Sequence, residues 1–367
     1  MKKIIQKIFP RKFHKFYKKI RNNKKLDKDL IYISDNFIKS ESYKTVSNQW
    51  HLLNIIDYEN ILNSGLENLG IQTFGHYFNF YNYKQEDLIN LFKNLEKNES
   101  FAFKSNIFKI NQNLGLKEIC NYNYLLLLLY FNLKKSKYFK FLELLNDDTY
   151  LNFGDHFITI DDYNITSDKI ISLFDLENID DFSYIGKDKI LEIGAGSGRL
   201  SECILSIKKT SNYTICDIPP SIFISYKRLK LAFPNKKIEL LIDIEDPEIL
   251  NEKIISNDIS FIFPHQIKKI NKKLFDLTIA VNCLHEMNKS TLNFYFKNIS
   301  NISRKFYFSI WKKTKNWYSG NLFKKTERLD FEGNDYQIPP NWIIKKKSEL
   351  KFPSSQIGIG YSLEEEN

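Results

Sequence analysis

Two hydrophobic rhythms divide this chain. From residue 187 onward, short apolar runs alternate with stretches in which apolar residues recur every three or four positions. The runs at 189–193, 213–216, 275–281 and 305–311 read as buried strands. Leu200, Cys203, Ile204 and Ile207 mark a helix after the first run. Ile222, Tyr226, Leu229 and Phe233 mark a second, opened by Pro219-Pro220, which the first turn of a helix tolerates. Leu292, Tyr295, Phe296 and Ile299 mark a third. Two runs, 238–242 and 259–263, compete for one strand position, and 342–344 with 357–363 suit a closing antiparallel pair. This alternation predicts an α/β fold: a largely parallel, Rossmann-like sheet with helices on both faces.

The earlier residues follow a helical period instead. Leu88, Leu91, Phe92 and Leu95 share one face, and the acids at Glu86 and Asp87 suit a helix start. Residues 122–145 read as one or two further helices. Between 151 and 186 the pattern is short and mixed. Residues 157–160 suit a strand, and Asp161-Asp162 suits a turn, either solvated or ligating a divalent metal. The expected organisation is a basic tail over 1–26, a helical cap or acceptor domain over 27–150, a connecting segment over 151–186 and the Rossmann-like domain over 187–367.

Composition changes this picture in one place. Of 367 residues 43% are hydrophobic, enough for a real core, and the net charge is +10. Eleven of the 54 Lys and Arg fall within residues 1–26, which hold no acid, so the remaining 43 nearly balance the 44 acidic residues. Ile4, Ile5, Ile8, Phe9, Phe13, Phe16, Tyr17 and Ile20 interleave with those cations, and Pro10 interrupts them. Two readings of the tail stand side by side: attachment to an anionic membrane surface, or a solvated basic arm. The near-neutral body offers no continuing basic groove, which excludes a nucleic-acid partner. No apolar run approaches the ~18 residues of a membrane span. The tail lacks the features of a signal peptide. Cys120, Cys203, Cys216 and Cys283 are scattered, which suits a reducing, cytoplasmic compartment rather than a disulfide framework or zinc site.

The chemistry concentrates at "LEIGAGSGR", residues 191–199. An apolar strand, a glycine turn and a helix start form a nucleotide-binding corner. The dinucleotide pattern G-x-G-x-x-G fails, because its third position falls on Arg199 or Ser201. No G-K-[ST] follows, so the phosphate-binding loop fails too. What remains is Glu192, Gly194, Gly196 and Gly198, with Asp217 closing the next strand 25 residues after Glu192. This resembles motif I of class I S-adenosylmethionine-dependent methyltransferases. "ILEIGAGSGRL", "YTICDIPPSIFISYKRL", "FIFPHQI" and "FDLTIAVNCLHEMN" follow in order, and together they resemble the bacterial sugar O-methyltransferase family over residues 150–315. Ser197 stands where that family often carries tyrosine.

The resemblance implies S-adenosylmethionine as cofactor, held by Glu192, Gly194, Gly196, Gly198, Asp217, His265, Gln266 and Asn282, with no metal. It implies an acceptor sugar hydroxyl on a surface glycan or its nucleotide-linked precursor. A small non-sugar acceptor, or a non-catalytic cofactor-binding partner in a membrane-associated glycan-assembly complex, are the alternatives. Such an enzyme is cytoplasmic, or peripheral on the inner face of the membrane. Methyl transfer to a hydroxyl needs in-line alignment and a base for the hydroxyl proton. His285, just beyond the strand at 275–281, is the first candidate, with Glu286 to orient it or to act itself. His156 is a second-rank base, and Trp311, Lys312 and Lys313 are candidates to line an acceptor pocket. His14, His51 and His76 have no supporting context.

Overall fold

The computed structural model describes residues 16–18, 20, 26–46, 48–65, 104–105, 116–145, 157–180, 189–208, 212–311, 338–349 and 358–366. The helix expected around Leu88, together with His14, His76, His156, Lys312 and Lys313, lies outside them. After the helical residues 16–18 and 20 come α1 (Lys28–Lys39), α2 (Glu41–Thr45) and α3 (Asn48–Ser64). The carboxylate of Asp27 caps α1 by accepting from Asp29 N–H at 2.8 Å. The strand β1 (Lys104–Ser105) and α4 (Leu116–Leu133) follow. A hairpin of β2 (Phe157–Ile160) and β3 (Tyr163–Thr166) turns through Asp161 and Asp162, both with positive φ, and joins β1 in a small antiparallel sheet. The helix α5 (Ser167–Asp180) then leads to the main sheet.

Strands and helices now alternate: β4 (Lys189–Ile193), α6 (Arg199–Ile207), β5 (Asn212–Cys216), α7 (Ser221–Ala232), β6 (Ile238–Leu240), α8 (Pro247–Ser256), β7 (Ile259–Ile262), β8 (Phe275–Val281), α9 (Lys289–Ile302) and β9 (Ser303–Trp311). The hairpin of β10 (Trp342–Glu349) and β11 (Gly358–Glu365) ends the sheet. The spatial order is β6-β7-β5-β4-β8-β9-β11-β10. Every pair from β6 to β9 is parallel, and β11 runs antiparallel to β9. Both runs that competed for one position are strands: 259–262 pairs with β5, and 238–240 adds an edge beyond it. The order reverses between β4 and β8, and ligands of such sheets bind outside the strands' carboxyl ends at this switch.

Alternation along each strand sorts the core into two faces. Ile190, Tyr213, Ile215, Phe261 and Leu277 pack with α5, α6 and α7. Leu191, Ile193, Cys216, Ile262 and Phe308 pack with α8 and α9. The first of these cores runs without a break into the N-terminal helices. Phe37 of α1 is fully buried and meets Phe263, Tyr17 and Tyr43 edge-on, at ring separations of 5.5, 6.0 and 5.7 Å. Lys227 bridges Asp27 at 2.9 Å and Asp29 at 2.6 Å, and Lys268 bridges Glu41 at 2.5 Å. Residues 1–15, 19 and 21–25 of the basic tail lie outside the described residues, while its end is built into the protein. Tyr17 and Ile20 lie in the core, because their apolar surface finds a complementary aromatic nest there. None of the described helices is long and apolar enough to cross a membrane.

Truncating Phe37 removes the ring that joins α1 to the sheet. Phe37→Ala should destabilise the protein by about 3–5 kcal/mol, read from the midpoint of urea unfolding. A loss below ~1 kcal/mol would show that α1 is not part of the cooperative core.

Candidate cofactor site

The glycine turn leaves β4 at its carboxyl end. Gly194, Gly196 and Gly198 have φ of 67°, 59° and 78°, a region L-residues with a Cβ avoid. Steric surroundings give the glycines different duties. A Cβ on Gly194 would lie 2.7 Å from the Cβ of Cys283, so the turn packs directly against the end of β8. One on Gly198 would lie 2.9 Å from the Cβ of Ser225, so α7 passes against the turn's other end. A Cβ on Gly196 would meet nothing within 4 Å. The middle of the turn thus presents bare backbone to open space.

Asp217 stands beside that opening. Its Oδ2 accepts from Gly196 N–H at 2.8 Å, and its Oδ1 accepts from Ile218 N–H at 2.7 Å. Only 9% of the residue is exposed. Burial pushes its carboxyl up to about 7, and the two amide hydrogen bonds limit that rise. Each oxygen of the charged form keeps acceptor capacity beyond one amide. The strand order and this corner define a Rossmann-like, mostly parallel sheet with a mainly helical N-terminal region.

Neither a family model nor a curated protein sequence matches this chain. Solved structures match part of this chain at low identity. Magnesium protoporphyrin IX methyltransferase from Synechocystis PCC 6803, with bound SAH, is 10% identical at a TM-score of 0.35, covering 54% of this chain and 85% of its own. A SAM-dependent methyltransferase from Aquifex aeolicus is 12% identical at 0.34, covering 53% and 90%. TrmK of M. capricolum, in complex with S-adenosyl-homocysteine, is 13% identical at 0.34, covering 52% and 68%.

Three side chains expected at the cofactor have other partners. Glu192 shares the face of Ile190 by strand alternation, so it points beneath α6 rather than out of the strand end. Its Oε2 accepts from Ser201 O–H at 2.5 Å and Tyr213 O–H at 2.7 Å, and burial raises its carboxyl above the usual range. It locks β4, β5 and α6 together. The Gln266 amide closes the corner after β7. Its Oε1 accepts from Phe263 N–H at 2.7 Å, and its Nε2 donates to the carbonyls of Leu241 and Ile244, each at 2.8 Å. His265 reaches Glu245 Oε1 through Nε2 at 3.1 Å and Ser42 Oγ through Nδ1 at 3.0 Å. The carboxylate requires N–H at Nε2, so Nδ1 accepts the Ser42 proton. The hydroxyl–imidazole–carboxylate sequence mimics a nucleophile's relay, but Ser42 is 0% exposed and also accepts the His265 amide at 2.9 Å. It is a latch between α2 and the corner after β7.

Asn282 does sit at the switch point. It adopts φ 54°, its N–H donates to Ser309 O at 3.0 Å, and its Oδ1 accepts from Ser309 O–H at 3.2 Å. His285 and Glu286 lie on the short 3₁₀ turn Leu284–Glu286 just past β8, and His285 is only 2% exposed. His51 accompanies Tyr43 in the N-terminal core, where burial lowers its imidazole to about 4. Asp161 accepts from Tyr130 O–H at 2.6 Å and Lys134 at 2.5 Å, which answers the turn's charge within the protein. Among the described residues no group of three or more His, Cys, Asp or Glu is arranged for a metal ion. Ser201, Tyr213 and Ser309 are not among the expected site residues. Their only sequence signal is a polar residue where an apolar period calls for a buried one.

Burial pushes the Asp217 carboxyl up to about 7 in the folded chain, against an ordinary value of 3.8. The folded chain therefore keeps a proton that the unfolded chain releases, and this stabilising contribution is complete below the lower value and lost as pH rises through the upper. Asp57 on α3, also pushed to about 7 by burial, acts in the same sense. Melting temperatures measured from about pH 4 to about pH 8 should show this loss, and Asp217→Asn should lessen it. An identical pH profile in the variant would contradict the buried titration.

Proposed function

We propose that this chain is an S-adenosylmethionine-dependent O-methyltransferase whose acceptor is a sugar hydroxyl of a bacterial surface glycan or its precursor. The single observation that carries the cofactor reading is the open backbone of Gly196 held against the Asp217 carboxylate. A bare turn admits a flat adenosyl group close to the backbone, and a charged carboxylate accepts hydrogen bonds from adjacent ribose hydroxyls. The donor set fits a neutral ribose and a cationic sulfonium better than a phosphate. A buried carboxylate repels phosphate, and the amide that would greet it already donates to Asp217.

Bound S-adenosylmethionine would supply a sulfonium methyl for in-line transfer to the acceptor oxygen, with S-adenosylhomocysteine as the leaving group. The chain's own work is placement and proton removal. Gly194 against Cys283 fixes the turn at the switch point, and Asn282 with Ser309 shapes the opposite lip. His285, in the turn after β8, takes the hydroxyl proton in this reading. Its burial then serves to keep water away until the acceptor enters. The sugar assignment rests on the sequence resemblance.

Calorimetry tests the cofactor reading. Asp217→Ala should weaken S-adenosylmethionine binding about 10- to 100-fold, the effect of losing hydrogen bonds to a charged group. Wild-type affinity should rise from about pH 6 to about pH 8, with protons released on binding, because the ligand favours charged Asp217. His285→Ala should bind like wild type and lose about 10²–10⁴-fold in turnover. Equal turnover in that variant would remove His285 from the chemistry. The acceptor is read separately, by glycan mass in cells with and without the gene, where loss of a methyl is the expected change.

A further inference from the structure

The turn that carries the cofactor reading is held from behind by charged side chains. Arg228 of α7 is 1% exposed. Its Nε donates to Glu202 Oε2 at 2.6 Å, and its Nη1 donates to Asp168 Oδ2 at 3.1 Å and to Ser197 Oγ at 3.3 Å. Ser197 O–H in turn donates to Asp168 Oδ2 at 3.4 Å. A guanidinium, a carboxylate and a hydroxyl thus close a triangle on the one residue between Gly196 and Gly198. Ser225, one turn before Arg228 on α7, is the residue that leaves no room for a Cβ on Gly198. The turn is gripped by α7 on one side and α5 on the other.

The grip from α5 extends along one helical face. Asp168, Ser172 and Asp175 stand at i, i+4 and i+7. Arg199, the first residue of α6, donates to Ser172 Oγ at 3.1 Å and pairs with Asp175 at 2.8 Å. Residues 197 and 199 are therefore both read by a helix that precedes the sheet. Arg228 lies buried behind the turn and bears on it through Ser197 and through the packing of α7 against Gly198. A glycine-rich turn has more backbone freedom to lose than any other sequence, and restricting it before a ligand arrives improves affinity. Buried ion pairs are a poor source of net stability but serve well to select one arrangement.

We infer that Asp168 and Arg228 are positioning residues which, through Ser197, hold the glycine turn in its cofactor-ready shape and so make cofactor affinity depend on α5. This rests on the cofactor reading above. Arg228 is a poor site to vary, since its loss removes the guanidinium paired with the buried Glu202 carboxylate. Asp168, a quarter exposed on its side chain, is the better probe. Asp168→Asn should weaken S-adenosylmethionine binding about tenfold, the effect of one charge-assisted hydrogen bond. Asp168→Glu should restore most of it. Adding Ser197→Ala to Asp168→Asn should bring little further loss, since both break the same triangle. In the protein without ligand, amide exchange over residues 194–200 should quicken in Asp168→Asn.

Unchanged affinity in Asp168→Asn, or fully additive losses in the double variant, would overturn the proposal. A melting temperature that falls with affinity and turn exchange both unaltered would mark Asp168 as structural only. If wild type binds no S-adenosylmethionine, the cofactor reading falls by itself. Exchange over 194–200 then decides alone whether Asp168 holds the turn.

Discussion

The contact between the Asp217 carboxylate and the Gly196 amide is the constraint from which the rest of the site follows. A parallel strand ends in unpaired backbone groups, and β4 and β5 end side by side. Gly194 N–H still donates to Cys216 O, so the ladder continues one residue into the turn. Beyond it the chain must bend sharply, and Asp217 supplies the acceptor that the bent amide needs. That acceptor is a charge under burial, so the arrangement is costly without a ligand. A group that brings hydroxyl donors to the same oxygens relieves the cost. Binding and the buried charge are two sides of one free energy.

Two buried carboxylates one strand apart show how position decides role. Glu192 and Asp217 flank the glycine turn in sequence, and composition alone gives no reason to treat them differently. Strand alternation does. Glu192 sits on the inner side of β4, under α6, and its two hydroxyl donors come from the protein. Asp217 lies past the last residue of β5, where alternation no longer applies, and its donors are backbone amides at the rim. A carboxylate satisfied by side chains of the core is architecture. One satisfied by the amides of a turn is available to whatever enters that turn.

Much of this was legible in the sequence, for a physical reason. Apolar periodicity reports burial directly, so the strands at 189–193, 213–216 and 275–281 and the helix stripe at Leu292, Tyr295, Phe296 and Ile299 appear where expected. The glycine spacing is equally legible, because only glycine meets the clearances at Gly194 and Gly198. Periodicity is silent on which strand pairs with which, so it could not choose between 238–242 and 259–263, and both are strands. It is silent too on side-chain partners across long separations. Gln266 and His265 carry the chemistry of ligand contacts, and only their partners Leu241, Ile244 and Ser42 reveal that they close the scaffold.

The tail shows the same limit from the other direction. Charge and apolar residues interleaved over residues 1–26 resemble a membrane-seeking segment, yet Tyr17 and Ile20 are interior. An amphipathic pattern states that one face needs an apolar partner and does not name it. Here the partner is the aromatic nest of Phe37, Tyr43 and Tyr58, which α1 carries onto Phe263 beside the corner after β7. The latch of Ser42 on His265 and the pairs of Lys227 and Lys268 complete that attachment. Helices written before the sheet thus reach both ends of the cofactor corner: α1 and α2 at the rim beyond β5 and β7, and α5 behind the glycine turn. A ligand that settles on Asp217 meets a wall to which distant parts of the chain have already contributed. Its affinity therefore reports on the N-terminal half as well as on the motif.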